Sequence, residues 1–212
     1  TVNRLCASSL QAIGDAAKNI NIGYGDVYIA GGVESMTRAP FVMAKAETAY
    51  SRTPEIYDTS IGWRFINPKL SQMYFPYAMG ETAENVVDKY KISREEQDEF
   101  SYNTQLKYEV AHNAGKFMEE IIPITIPQRK TNDIIFDKDE HPRLSSLDKL
   151  AELKPAFKKG GTVTAGNASG VNDGSAALFI VSEEALKRYN LTPIAEVVSS
   201  AAAGVHPDIM GI

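Results

Sequence analysis

The chain has 212 residues, 43% of them hydrophobic and 23% charged, a balance that suits a globular protein with one sizeable core or two modest ones. A net charge of −5 excludes a general affinity for nucleic acid or anionic membranes, and no stretch is long and apolar enough to span a bilayer. The single cysteine rules out an internal disulfide and the opening residues lack a secretory pattern, so the expected compartment is the cytoplasm.

After Cys6, apolar residues recur at Leu10, Ile13, Ala17 and Ile20, which predicts a helix ended by Gly23 and Gly25. Asp26 to Ala30 reads as a strand buried on both faces and stopped by Gly31-Gly32. From Thr37 to Tyr77 no period holds. This stretch is expected to be loop-rich with short helices, anchored by Tyr57, Trp63, Phe65, Tyr74, Phe75 and Tyr77. Glu81 to Tyr90 predicts a helix with Ala83, Val86, Val87 and Tyr90 on its inner face. Ser93 and Glu96 form a capping box for a long helix towards Gly115, with Leu106, Val110 and Ala114 on one stripe.

Ile121 to Pro127 and Asp133 to Phe136 read as an edge hairpin, because Pro123 and Pro127 cannot donate to a central ladder. A short helix is expected over Leu147 to Leu153, with Pro155 beyond it. Thr162 to Gly170 forms a loop of small residues, and Ser175 to Val181 predicts another buried strand. Ser182 caps a helix with Glu183 and Glu184 in its first turn, and Ile194 to Ala203 predicts a further strand. The order is α/β, a long mixed insertion, and a return to α/β. Thr1 to Arg4 runs straight into a helical pattern and Ile212 follows an apolar run, so the chain reads as an internal piece of a longer protein.

Three places suit chemistry. Cys6 stands where the chain enters a helix, followed by Ala7, Ser8 and Ser9. A helix start favours negative charge and offers N–H donors to a developing oxyanion, and small neighbours leave room for a substrate. A lone cysteine is also a common small core residue, so spacing leaves the two readings balanced. The loop from Ala165 to Gly174, with glycines at 166, 170 and 174, suits a backbone passing close to a ligand or a tight turn between core segments. Gly31 to Met36 ends a strand, where α/β proteins build sites, although Glu34 equally suits a turn. His112, His141 and His206 lack partners at metal-ligand spacing, so no metal site is expected. Glu95, Glu96, Asp98 and Glu99 read as a solvated face at a helix start.

Taken together and in order, Val2-Asn3-Arg4-Leu5-Cys6-Ala7-Ser8-Ser9, Gly31-Gly32-Val33-Glu34-Ser35-Met36, Met79-Gly80-Glu81-Thr82-Ala83-Glu84-Asn85-Val86 and Gly161 to Ala177 resemble the thiolase family. The resemblance covers essentially the whole chain. It implies an α/β fold, an incomplete layered thiolase-like core carrying an inserted mixed α+β loop domain. Its parts are 1–36 in the N-terminal core, 37–160 as the loop domain, 161–190 as the return to the core, and 191–212 as the start of a C-terminal domain. It further implies an acyl-CoA substrate, coenzyme A as co-substrate with no tightly bound cofactor, and an acyl-cysteine intermediate on Cys6. Ser169 matches a serine that contacts the pantetheine arm. Ala165 and Phe157 match apolar walls, Met79 a loop-domain residue near the acyl pocket, and Lys149, Arg143 and the Lys154–Lys159 region the nucleotide end. Whole relatives are homodimers or homotetramers.

The family's activating histidine, its Asn-Glu-Ala-Phe-type segment and its second cysteine match nothing here, and His206-Pro207 aligns with a non-catalytic strand end. The chain by itself is therefore expected to be inactive. Asp58 to Pro68 resembles the subgroup that acts on 3-oxoadipyl-CoA, in which Arg64 is a candidate partner for the distal carboxylate or a pin for its own loop. The alternatives are a decarboxylating ketoacyl synthase, against which residues 79–86 argue, and a non-catalytic lipid- or coenzyme A-binding module of the same fold.

Overall fold

The computed structural model describes all 212 residues. In chain order it contains α1 (Ser8–Asn21), β1 (Val27–Glu34), a 3-10 turn (Met36–Arg38), β2 (Phe41–Met43), β3 (Ile56–Asp58), α2 (Pro68–Met73), α3 (Met79–Tyr90) and α4 (Arg94–Asn113). It continues with β4 (Ile124–Ile126), β5 (Ile134–Phe136), α5 (Leu147–Ala151), β6 (Gly174–Val181), α6 (Glu183–Arg188) and a second 3-10 turn (Pro207–Ile209). These elements fall into two units, Thr1–Ser60 with Val171–Val205, and Ile61–Gly170 with His206–Ile212.

In the first unit, β1 pairs antiparallel with β6 from Val27 opposite Val181 to Glu34 opposite Gly174. The expected stop at Gly31-Gly32 does not occur, and both glycines lie inside the strand. A Cβ on Gly31 would stand 2.6 Å from the Ala176 carbonyl oxygen, so this glycine serves close strand approach rather than termination. Helix α1 packs on the two strands. It buries Gly14 and Ala16, while Ala30 is buried on β1 and Gly32 lies near Ser9. Small residues on both partners let helix and sheet meet closely.

The opposite face of the sheet carries Val27, Ile29, Val33 and Phe179, and Ile29 and Phe179 are each 71% exposed. Burial on both faces is therefore not found, because a single helix shields a single face. The expected strand at 194–203 is also absent. Ser200 lies against Gly14, yet the segment pairs with no ladder neighbour and Ile194 is 99% exposed. The β2–β3 hairpin, with Val42 opposite Tyr57, stands in the stretch expected to be loops and short helices, since strands of three residues show no readable alternation. At the end of β6, Ser182 donates to the Asp26 carboxylate (3.1 Å) and accepts from the Ala185 amide (3.1 Å), capping α6 as expected. At its start, Asp173 accepts from the Thr37 amide (2.9 Å) and hydroxyl (2.6 Å).

The second unit packs α5 on α4 and the second 3-10 turn on α3. The capping box forms as expected, with Glu96 N donating to Ser93 Oγ (3.1 Å) and Ser93 N to Glu96 Oε2 (2.7 Å). The exposed β4–β5 hairpin and the end of α5 before Pro155 also agree with the sequence. The inner faces of the helices do not. Helix α3 buries Thr82 and Glu84, while Ala83, Val86 and Val87 are only half-buried and Tyr90 is exposed. On α4, Leu106, Val110 and Ala114 face solvent, and the sheltered positions are Arg94, Gln97, Asp98, Ser101, Tyr102, Gln105, Tyr108, Ala111 and His112. Those positions keep a helical spacing but are mostly polar, so an apolar-period reading selects the wrong face. Of the expected aromatic anchors, Trp63, Phe65 and Phe75 are largely exposed. Trp63 is held by a bond from its Nε1 to the Tyr77 carbonyl (2.9 Å). Gly80, in the first turn of α3, has the Phe157 ring where a Cβ would stand.

Two outcomes follow from this packing. Gly80→Ala should lower stability by about 1–3 kcal/mol through overpacking, outweighing about 1 kcal/mol of helix propensity gained. Urea unfolding should show the loss, and Phe157→Ala in the same chain should cost less than it does alone. The Thr37 hydroxyl, and then its amide, holds the Asp173 carboxyl below its ordinary value. A depressed native pKa contributes stability above the unfolded value and loses it as pH falls through the native one. In a carboxyl-carbon NMR titration, Thr37→Val should raise the Asp173 midpoint and flatten that acid-side loss.

Candidate functional site

Cys6 sits at the tip of a turn closed by short-range bonds. The Ala7 amide donates to Arg4 O (3.1 Å) and the Ser8 amide to Leu5 O (3.0 Å). The Ser8 hydroxyl accepts from Arg4 N (2.9 Å) and donates to Leu5 O (2.6 Å), while Leu5 N donates to Asn3 Oδ1 (3.0 Å). Together they hold Leu5 at φ +52°, a left-handed conformation that costs a leucine about 1–2 kcal/mol. Strain of this kind persists only where its surroundings impose it. The result presents the Cys6 thiol to solvent immediately before α1. No side chain caps that helix and no acidic residue stands in its first turn, although the Ala7 and Ser8 amides are already taken by Arg4 O and Leu5 O.

The other candidate residues lie in the second unit. A cleft of about 510 Å³ opens between α4, the segment before α5, α5 itself and the 165–168 loop. Arg143, Lys149 and Ala165 all line it, with Gln105, Glu140 and His141. The Arg143 amide donates to Gln105 Oε1 (2.9 Å), which ties the basic segment to α4. Ser146 Oγ accepts from the Lys149 amide (3.4 Å) at the start of α5. The cleft thus offers a guanidinium and an ammonium opposite a loop of small residues, a setting for an anionic group carried on a slender chain. Ser169 is exposed just beyond Ala168. Met79 and Phe157 do not line this cleft; the Phe157 ring packs on Gly80 in the first turn of α3, and Met79 is largely exposed. Within the Lys154–Lys159 region, Lys158 is taken up by Asp88 (2.6 Å), and their bond raises the lysine's pKa and lowers the carboxyl's.

Beneath the cleft runs a polar scaffold that the sequence reading missed. Glu84 is 1% exposed, and its Oε1 accepts from the amides of Thr162 (2.9 Å) and Val163 (2.8 Å). Asn167 accepts from the Thr164 amide (2.7 Å) and donates to Thr162 O (3.1 Å) and Asp98 Oδ1 (3.0 Å). Arg94 donates through Nε to Asp98 (2.7 Å) and through Nη2 to the carbonyls of Leu150 (2.6 Å) and Leu153 (3.1 Å). Asp98 is therefore no part of a solvated face but is buried at 4% exposure. Its signal was Arg94, one helical turn earlier, whereas no periodic pattern marks Glu84.

The family profile described as Thiolase, N-terminal domain, matches residues 1–184. A beta-ketoadipyl-CoA thiolase of Acinetobacter baylyi is 53% identical over 212 residues, which is 100% of this chain and 53% of that protein. The crystal structure of the Bacillus anthracis acetyl-CoA acetyltransferase superposes with a TM-score of 0.82 at 42% identity, covering 100% of this chain and 52% of that one. Human mitochondrial 3-ketoacyl-CoA thiolase in complex with CoA gives a TM-score of 0.80 at 38% identity, with coverages of 100% and 51%. The chain thus spans about half the length of the relatives it matches. Its fold is the thiolase fold, and the chain belongs to the thiolase family.

Proposed function

We propose that this chain supplies the nucleophile and much of the coenzyme A contact surface of an acyl-CoA acetyltransferase that cleaves 3-oxoacyl-CoA by thiolysis. The observation that carries the reading is the exposed Cys6 thiol, presented by a strained turn at an uncapped helix start. In the cleavage direction, Cys6 Sγ attacks the 3-oxo carbonyl carbon. The bond between C2 and C3 breaks, C2 takes a proton and acetyl-CoA departs, leaving the shortened acyl group as a thioester on Cys6. Coenzyme A then attacks that thioester, releasing a new acyl-CoA and the free thiol. The Cys6 backbone amide suits the oxyanion of either tetrahedral intermediate.

In this reading Arg143 and Lys149 meet phosphates of coenzyme A, and Ala165 and Ser169 flank its pantetheine arm. Phe157 and Ala165 form apolar walls, and Met79 lies near the acyl pocket. The proton transfers fall to the histidine and second cysteine that family members carry in their other half, and the working form is a homo-oligomer of whole chains. The relatives named for beta-ketoadipyl-CoA favour a substrate with a distal carboxylate. Arg64, in the 58–68 stretch, is its candidate partner.

The test uses the whole protein that contains this chain. Incubation with acetyl-CoA should add one acetyl group to the peptide bearing Cys6, and Cys6→Ala should lower thiolysis by about 10⁴-fold or more. An acetyl group on another residue, or turnover that survives Cys6→Ala, overturns the reading. The 212-residue chain alone should show no thiolysis. Equal kcat/KM for 3-oxoadipyl-CoA and an unsubstituted 3-oxoacyl-CoA rejects the substrate assignment while leaving the reaction class intact.

A further inference from the structure

We propose that Glu84 is a positioning residue for ligand binding. It anchors the 161–168 loop so that the loop's ligand-facing residues stand at a set spacing from Lys149 on α5. The inference rests on the coenzyme A reading above. The loop is pinned at its centre by the buried Val163 and Thr164 side chains, while Gly161, Ala165, Gly166 and Ala168 add little side-chain volume on either side. The backbone amides of this buried stretch still need acceptors, because buried amides without them are costly. Glu84 supplies that acceptor for two successive amides, and its Oε2 also accepts from the Thr162 hydroxyl (3.3 Å). The carboxylate lies so close to the backbone that a Cβ on Gly161 would collide with it. Gln97 Nε2 donates to the same Thr162 hydroxyl (3.0 Å), adding a tie from α4.

The other end of the loop is held by the same framework. Asn167 connects it to Asp98, Asp98 to Arg94, and Arg94 to the carbonyls that end α5. Lys149 on α5 and Ala165 on the loop both line the cleft, and both are referenced to the first turn of α4 through buried or half-buried polar groups. A ligand spanning the cleft therefore meets a spacing set before it arrives, and preorganisation of this kind appears as affinity.

Hydrogen exchange and calorimetric titration with coenzyme A on wild type, Glu84→Ala and Glu84→Gln test this. Glu84→Ala should speed exchange of the Thr162 and Val163 amides by about 10–100-fold and weaken coenzyme A binding about tenfold. Exchange through the middle of α4 should stay unchanged. Glu84→Gln keeps the shape and one acceptor oxygen, so it should hold both quantities within about threefold of wild type. Three results overturn the proposal: protection retained at 162–163 in Glu84→Ala, protection lost equally throughout α4, or coenzyme A affinity unchanged despite a loosened loop. The titrations use the whole protein. Wild type that leaves coenzyme A unbound overturns the coenzyme A reading and this proposal with it, whereas wild type that binds coenzyme A and a Glu84→Ala variant that binds it equally well overturn the proposal alone.

Discussion

The carboxylate of Glu84, closed in by α3 and bonded to the amides of Thr162 and Val163, is the constraint on which the second unit depends. A charge taken out of water is tolerated only when its oxygens are satisfied, and charge-assisted bonds to backbone amides are among the stronger ones available. Leu150 and Val163 are the buried hydrophobic residues of this unit, so dispersion and apolar burial do little to register its helices. Register comes from the run of Glu84, Asn167, Asp98 and Arg94. The first unit uses the opposite method. There Gly14, Ala16, Ala30 and Gly31 allow backbones to approach, and close contact replaces directional bonds.

That contrast explains which parts of the fold were legible. Terminators and caps are local chemistry, and Ser93–Glu96, Ser182 and Pro155 ended or began their helices where sequence placed them. The β4–β5 hairpin was readable from its β-branched residues, and β6 from its short apolar run between the glycine-rich loop and Ser182. Interior faces were not readable where the interior is polar, as on α3 and α4, because the amphipathic rule assumes that apolar residues turn inward. The glycines of β1 misled for a related reason. The same residue serves a turn or a close strand contact, and only the neighbouring strand decides between them.

The candidate site was legible in part. Cys6 was marked by its place before a helix, but its presentation depends on Leu5 in a left-handed conformation, for which a leucine gives no sequence signal. Arg143, Lys149 and Ala165 share one cleft, although they come from three separate stretches of chain. Asp98 was hidden in an acidic run because composition does not tell a solvated carboxylate from one bonded to Arg94 and Asn167. Tertiary partners confer that role.

The pairing of β1 with β6 also governs the order in which the chain acquires structure. Asp26 and Ser182, bonded at the end of this strand pair, are 156 residues apart in sequence. Closing so long a loop adds little to the equilibrium cost, which grows only logarithmically, but it slows the search for the contact. On a ribosome the interval between the two strands is roughly 8–30 s at ordinary elongation rates. Throughout it β1 lacks its β6 partner, and by its end the second unit, apart from its last seven residues, has been synthesised. The polar scaffold of that unit can therefore form before β1 has paired with β6.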